Sequence, residues 1–157
     1  MQFGVQFLPD VRPEEKPAQT YFREALDLAE EADRLGYSHV RIVEHYFHHY
    51  GGYSPNPIVF LAAAAQRTRR ARLVTGAVLP AFNHPLKLAG EIAMLDALSG
   101  GRLDVGFARA FLPHEPTWRA TYQRNLACVS EREKRLSVLP SQPQAFFGAA
   151  VRDLPVR

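Results

Sequence analysis

The chain has 157 residues, 46% of them hydrophobic, and a formal net charge of +3; this suffices for one ordinary core and leaves too little for two comfortable domains. The arginines are scattered apart from one cluster, Arg67, Arg69, Arg70 and Arg72. That cluster reads as a solvated helix end and not as a basic face with stacking aromatics, so nucleic acid is not an expected partner. Cys128 is the only cysteine, which excludes an internal disulfide and suits a cytoplasmic setting. No basic, apolar leader follows Met1, and the longest apolar run, Ile58 to Ala65, is under half of the ~20 residues that span a bilayer. No membrane association is expected.

Phe3, Val5 and Phe7 recur at every second position, a strand pattern that the proline-rich stretch Pro9 to Pro17 stops. Tyr21, Ala25, Leu28, Ala32 and Leu35 then recur at helical spacing, and Gly36 closes the helix as a left-handed cap. A second strand spans about His39 to Glu44. Its loop ends at Asn56-Pro57, an N-cap followed by proline at the first helical position, and Ile58 to Thr68 makes an alanine-dense second helix. Arg72 to Leu79 is a third strand, so nearly continuous in apolar residues that burial on both faces is expected.

A third helix starts at His84-Pro85, carries Leu88, Ile92 and Leu95 on one side and ends at Ser99-Gly100-Gly101; Leu103 to Phe107 is a short fourth strand. Strand and helix in regular alternation imply a parallel sheet with crossover helices. Four such units are half of a (β/α)8 barrel, so the fold class is α/β, a partial TIM barrel over residues 1–115. Residues 116–157 form a tail in which Thr117 to Leu136 has helical spacing and prolines interrupt the rest.

Strand two hands an acid and an imidazole, Glu44 and His45, to the loop at its C-terminal end, where a parallel barrel keeps its chemistry. His45, His48 and His49 beside Glu44 lack the H-E-x-x-H spacing and any accompanying cysteine, so no metal is expected. His48 and His49 read as exposed loop residues, and Asn56 as a helix cap.

Several ordered segments together resemble the N-terminal half of the bacterial luciferase-like flavin monooxygenases. They are Met1-Gln-Phe-Gly, Ala29-Glu-Glu-Ala-Asp-Arg-Leu-Gly-Tyr, Glu44-His-Tyr-Phe with Asn56-Pro57, Val78-Leu-Pro with His84-Pro85, and Leu95-Asp-Ala-Leu-Ser-Gly-Gly-Arg-Leu-Asp-Val-Gly-Phe-Ala-Arg. The resemblance implies a barrel that binds reduced FMN at its C-terminal face, lets it react with O2 and oxidises a small organic substrate. It also implies a flavin reductase as partner. Relatives that use the deazaflavin F420 offer an alternative cofactor and a hydride-transfer activity. A non-catalytic flavin-binding half-barrel that dimerises is a further alternative.

At matching positions, His45 resembles the catalytic histidine, an acid or base of the kind that suits proton transfer near neutral pH. Glu44 would orient it, or else is a strand-end carboxylate paired with an arginine. Arg109 resembles the arginine that meets the flavin phosphate, where a guanidinium fork suits the anion; a surface arginine is the plain alternative. Thr75, Gly76 and Ala77 fall where the family places an unusual backbone, sometimes a non-proline cis peptide, against the flavin ring. A glycine tolerated in a buried strand reads equally well there.

A complete barrel needs about 250 residues, and the family pattern stops after Phe111-Leu-Pro-His-Glu115, as an early stop or a shifted reading frame would produce. Opening a barrel there is expected to bare an apolar inner layer. If ~10 residues lose half their burial at ~1 kcal/mol each, the loss rivals the ~5–15 kcal/mol stability of a domain. A homodimer joined through the open strand edges is the expected remedy.

Overall fold

The computed structural model describes residues 1–46 and 53–108. In chain order these form β1 (Gly4–Phe7), α1 (Ala18–Arg34), β2 (His39–Ile42), α2 (Pro57–Arg67), β3 (Arg72–Thr75), a 3-10 turn at Pro80–Phe82, α3 (Pro85–Ser99) and β4 (Leu103–Asp104). The strands pair in the order β1-β2-β3-β4, all parallel. Consecutive order with a helix between neighbours is the arrangement expected of the first half of a barrel.

The chain divides into two compact units, and the whole sheet with α1 and α2 lies in the first, residues 1–78 and 98–107. Register sorts its side chains into rows. Val5, Val40, Leu73 and Leu103 form one row and Phe7, Ile42 and Thr75 the next; Val40, Ile42 and Leu73 are fully buried. This is the helix side, since Phe7 meets Phe60 of α2 edge-on at 5.3 Å between ring centroids.

The opposite face carries Gly4, His39 and Arg72 in one row and Gln6, Arg41, Val74 and Asp104 in the other. Expectation fails here on two counts. β3 is not buried on both faces, because Arg72 is exposed and Val74 half-buried. Nor is the inner layer apolar: Val74 is its one sizeable hydrophobe among the described strand positions, and Arg72 pairs across to Asp104. This face therefore offers less apolar surface for burial than a layer of leucines and valines would.

The stripe that α1 buries also differs from expectation. Ala25, Ala29, Ala32 and Asp33 are buried, whereas Leu28 and Leu35 are more than half exposed. Alanines at spacings of four and three let the helix approach closely, and Leu28 falls just off that line. Gly36 follows with φ +85°, the conformation that asks for glycine at a helix end. α2 starts as read: Asn56 accepts from the Ile58 N–H at 3.0 Å and Pro57 follows it.

Two charged side chains fasten the far ends of these elements. Asp33, buried at the end of α1, accepts backbone N–H groups of Arg69, Arg70 and Ala71 at 3.1, 2.9 and 2.6 Å. Burial opposes its charged form, but these three donations outweigh that and hold its carboxyl below the ordinary aspartate range. Arg102 closes the C-terminus of α2, donating to the carbonyls of Ala65, Thr68, Ala71 and Ser99 and to Thr68 Oγ1. The carbonyls of Ala65 and Thr68 at the end of α2, and that of Ser99 at the end of α3, are among the acceptors that a helix end leaves over.

In the second unit, Asn83 Nδ2 donates to Leu79 O across the 3-10 turn at 3.0 Å. Most of α3 follows, with Leu88, Ile92 and Leu95 buried and Leu86 and Met94 exposed, the sidedness its sequence implies.

Candidate active site

β2 ends at Ile42, and the chain beyond it is held in place rather than left to wander. Ser54 Oγ donates to Val43 O at 2.5 Å, and the His45 N–H donates to Ser54 O at 2.9 Å. These bonds close the loop at its stem. Tyr53 fixes the segment leading into α2: the phenol donates to Lys16 O at 2.9 Å, and the ring lies 5.9 Å from Tyr21 and 6.4 Å from Phe22. The aromatic cluster continues from Phe22 to Phe60 at 6.1 Å. Burial in it pushes the Tyr21 phenol up to about 12.

Glu44 is 4% exposed, and the hydroxyl of Tyr46 donates to its Oε1 at 2.5 Å. Burial, and then the hydrogen bond and charge of Glu44, raise the Tyr46 phenol far above its ordinary value, so it remains a donor. Sequence reading overlooked Tyr46 and Ser54; only their closeness to the Glu-His pair in the chain hints at them.

β3 reaches the same end of the sheet. The Gly76 N–H donates to Ile42 O at 2.8 Å, which sets Gly76 beside the point where β2 gives way to Val43, Glu44 and His45. The Gly76-Ala77 peptide bond is cis. Thr75 is 1% exposed and its hydroxyl is committed to the segment just past β4, accepting from Gly106 N at 2.9 Å and donating to Gly106 O at 3.1 Å. Its side chain thus ties strands together, and what this segment offers a ligand is the backbone of Gly76 and Ala77. Gly106 permits the close approach, because a Cβ there would lie 2.8 Å from Thr75 O. Val78 N–H completes the junction with Gly106 O at 2.8 Å.

Beneath Gly76 lies Arg41. A Cβ on Gly76 would fall 2.1 Å from Arg41 Nε and 2.7 Å from its Cγ, so the glycine makes room for the arginine's arm. Arg41 Nε is buried and has no hydrogen-bond partner among the described residues. The sequence signal was a charged residue amid the β-branched run of a central strand.

The structure therefore brings Glu44, His45, Gly76 and Ala77 to one end of the sheet and places Thr75 in the strand junction below. Arg109, His48 and His49 lie outside the described residues. Among the described residues no group of three or more His, Cys, Asp or Glu side chains is placed to hold a metal, and no helix is long and apolar enough to cross a membrane.

Residues 1–135 match the family described as luciferase-like monooxygenase, a match that runs past residue 115. The chain is 60% identical to monooxygenase RslO1 from Streptomyces bottropensis, superposing with a TM-score of 0.72 over 82% of this chain and 42% of that one. It is 27% identical, with a TM-score of 0.68, to the oxygenating constituent of 3,6-diketocamphane monooxygenase from Pseudomonas putida, solved with FMN, over 81% of this chain and 38% of that one. The oxygenase component of a flavin-dependent trigonelline monooxygenase from Acinetobacter baylyi is 43% identical over 56% of this chain and 24% of its own length. F420-dependent enzymes also occur among the relatives. The chain spans roughly a quarter to a third of the curated relatives it matches, at 27%, 24% and 30% of their lengths. By the match over most of its residues, the chain belongs to the luciferase-like monooxygenase family.

Proposed function

We propose that the end of the sheet where β2 and β3 finish seats reduced FMN, and that the chain takes part in FMN-dependent oxidation of a small organic substrate by O2. The observation that carries this reading is the Gly76 N–H to Ile42 O bond of 2.8 Å. It puts the acid-imidazole pair of one strand end next to the side-chain-free backbone of the other.

The residues present fit a flavin ring. Gly76 carries no side chain and Ala77 only a methyl group, and Arg41 Nε is a buried donor without an acceptor among the described residues. When bound, the reduced flavin supplies the electrons that activate O2. His45 is proposed as the acid or base that moves a proton beside the ring, with its backbone fixed through Ser54 and its neighbour Glu44 fixed through Tyr46. Arg109 is proposed to meet the phosphate.

Similarity to an oxygenase component supports a separate reductase as the source of reduced flavin. Pairing of two copies through the edge strands β1 and β4 remains part of the proposal.

Anaerobic titration with reduced FMN, followed by admission of air with a panel of small substrates, tests this. The wild type should bind reduced FMN and couple O2 uptake to substrate loss. His45→Ala should bind within a few-fold and oxidise substrate roughly 10²–10⁴-fold more slowly. An unchanged rate in His45→Ala, or no flavin binding by the wild type, would refute the assignment.

A further inference from the structure

We propose that Arg41 is a ligand-binding residue, held beneath Gly76 to take up the negative charge of the reduced flavin ring; the inference rests on the functional reading above. The first observation is the buried Nε without an acceptor among the described residues. Buried donors in folded proteins are nearly always paired, and one that is not needs an explanation. An acceptor that arrives with a ligand is such an explanation.

The second observation is placement. Arg41 stands in the row of Gln6, Val74 and Asp104 on the face away from the helices, and its arm runs under Gly76, whose missing Cβ would overlap Nε. The arginine arm is thereby carried to Gly76, at the proposed resting place of the ring. A side chain at residue 76 would claim that space. Gly76 thus serves two neighbours at once, the arginine below and a ligand above.

The third observation is charge. Across the same face Arg72 is paired with Asp104, whereas Arg41 Nε is left with its donor unused. The reduced isoalloxazine becomes anionic when its N1 proton is lost, while the oxidised ring is neutral. A planar, permanently charged guanidinium suits a planar, delocalised anion. Arg41 should therefore favour the reduced over the oxidised form, and act on affinity and potential rather than on proton transfer.

The test compares the dissociation constants of oxidised and reduced FMN for wild type, Arg41→Met and Arg41→Lys, by fluorescence quenching in air and anaerobically, with the midpoint potential of the bound flavin measured separately. Arg41→Met should weaken the reduced form by roughly tenfold more than the oxidised form, which lowers the bound potential by about 30 mV for two electrons. Arg41→Lys should recover part of the difference. Arg72→Met removes a charge from the same face and should leave the ratio unchanged.

Without ligand, Arg41→Met should melt no lower than the wild type. An unchanged ratio in Arg41→Met overturns the proposal while leaving the flavin site standing, and so does a lowered melting temperature, which would give Arg41 a structural partner. Absence of any flavin binding by the wild type defeats the functional reading and this proposal with it.

Discussion

The hydroxyl of Tyr46 and Oε1 of Glu44 are 2.5 Å apart, four and two residues beyond the strand that ends at Ile42. The bond links a buried carboxylate to a half-buried phenol within the segment that carries His45. Tyr46→Phe removes the donor and leaves the rest of the ring in place. It should cost about 1–3 kcal/mol in urea unfolding, with the wild-type slope retained. In the wild type, a phenol that fails to ionise through the ordinary tyrosine range should be seen by absorbance titration, and its loss in Tyr46→Phe assigns it.

Asp33 yields a pH dependence with a definite sign. Its folded-state pKa lies below the unfolded value of ~3.9, so its contribution is complete above that value and is lost as pH falls toward the folded one. Asp33→Asn cannot accept three N–H groups with both terminal atoms and should cost about 2–3 kcal/mol at pH 7. Measured by chemical unfolding from pH 7 down to pH 3, the gap between variant and wild type should narrow with acid. A gap that widened would contradict the assignment.

Gly76→Ala should test the packing of Arg41 directly. The added Cβ meets the middle of the arginine arm, not its free end, so an overpacking cost of about 1–3 kcal/mol is expected. In the double variant Gly76→Ala, Arg41→Ala, most of that cost should vanish, giving a coupling of about 1 kcal/mol or more in a double-mutant cycle. Additive effects would mean that the two residues do not meet.

Arg102 fastens four backbone carbonyls and one hydroxyl, a pattern that only a planar fork can reproduce. Arg102→Lys should destabilise by about 2–4 kcal/mol despite keeping the charge. Hydrogen exchange should show the loss first in the last turn of α2, around Ala64 to Thr68.

Periodicity made the strand and helix order legible, because Phe3, Val5 and Phe7 recur at every second residue and Leu88, Ile92 and Leu95 at helical spacing. Caps were legible where a single side chain suffices, as at Asn56 and Gly36. The inner face was misread, since Arg41, Arg72 and Asp104 can be placed only once register is known. In α1, alanines take the buried stripe and Leu28 stays outside, a choice made by close packing and not by hydrophobicity alone. At the site, Glu44 and His45 stood out as types, and Gly76 only through the family resemblance, since a glycine within a strand reads equally well as tolerated there. The tie between Thr75 and Gly106 joins residues 31 positions apart, beyond what spacing can show.

Backbone amide shifts of ¹⁵N-labelled protein during titration with FMN test most directly whether the flavin sits where β2 and β3 end. Perturbations are expected at Glu44, His45, Tyr46, Gly76, Ala77 and Gly106. Ser38, Arg72 and Arg102, at the opposite end of the strands, should be unmoved. Saturable shifts at that opposite end, or none at Glu44 to Tyr46 and Gly76 to Ala77 when FMN is in large excess, would contradict the assignment.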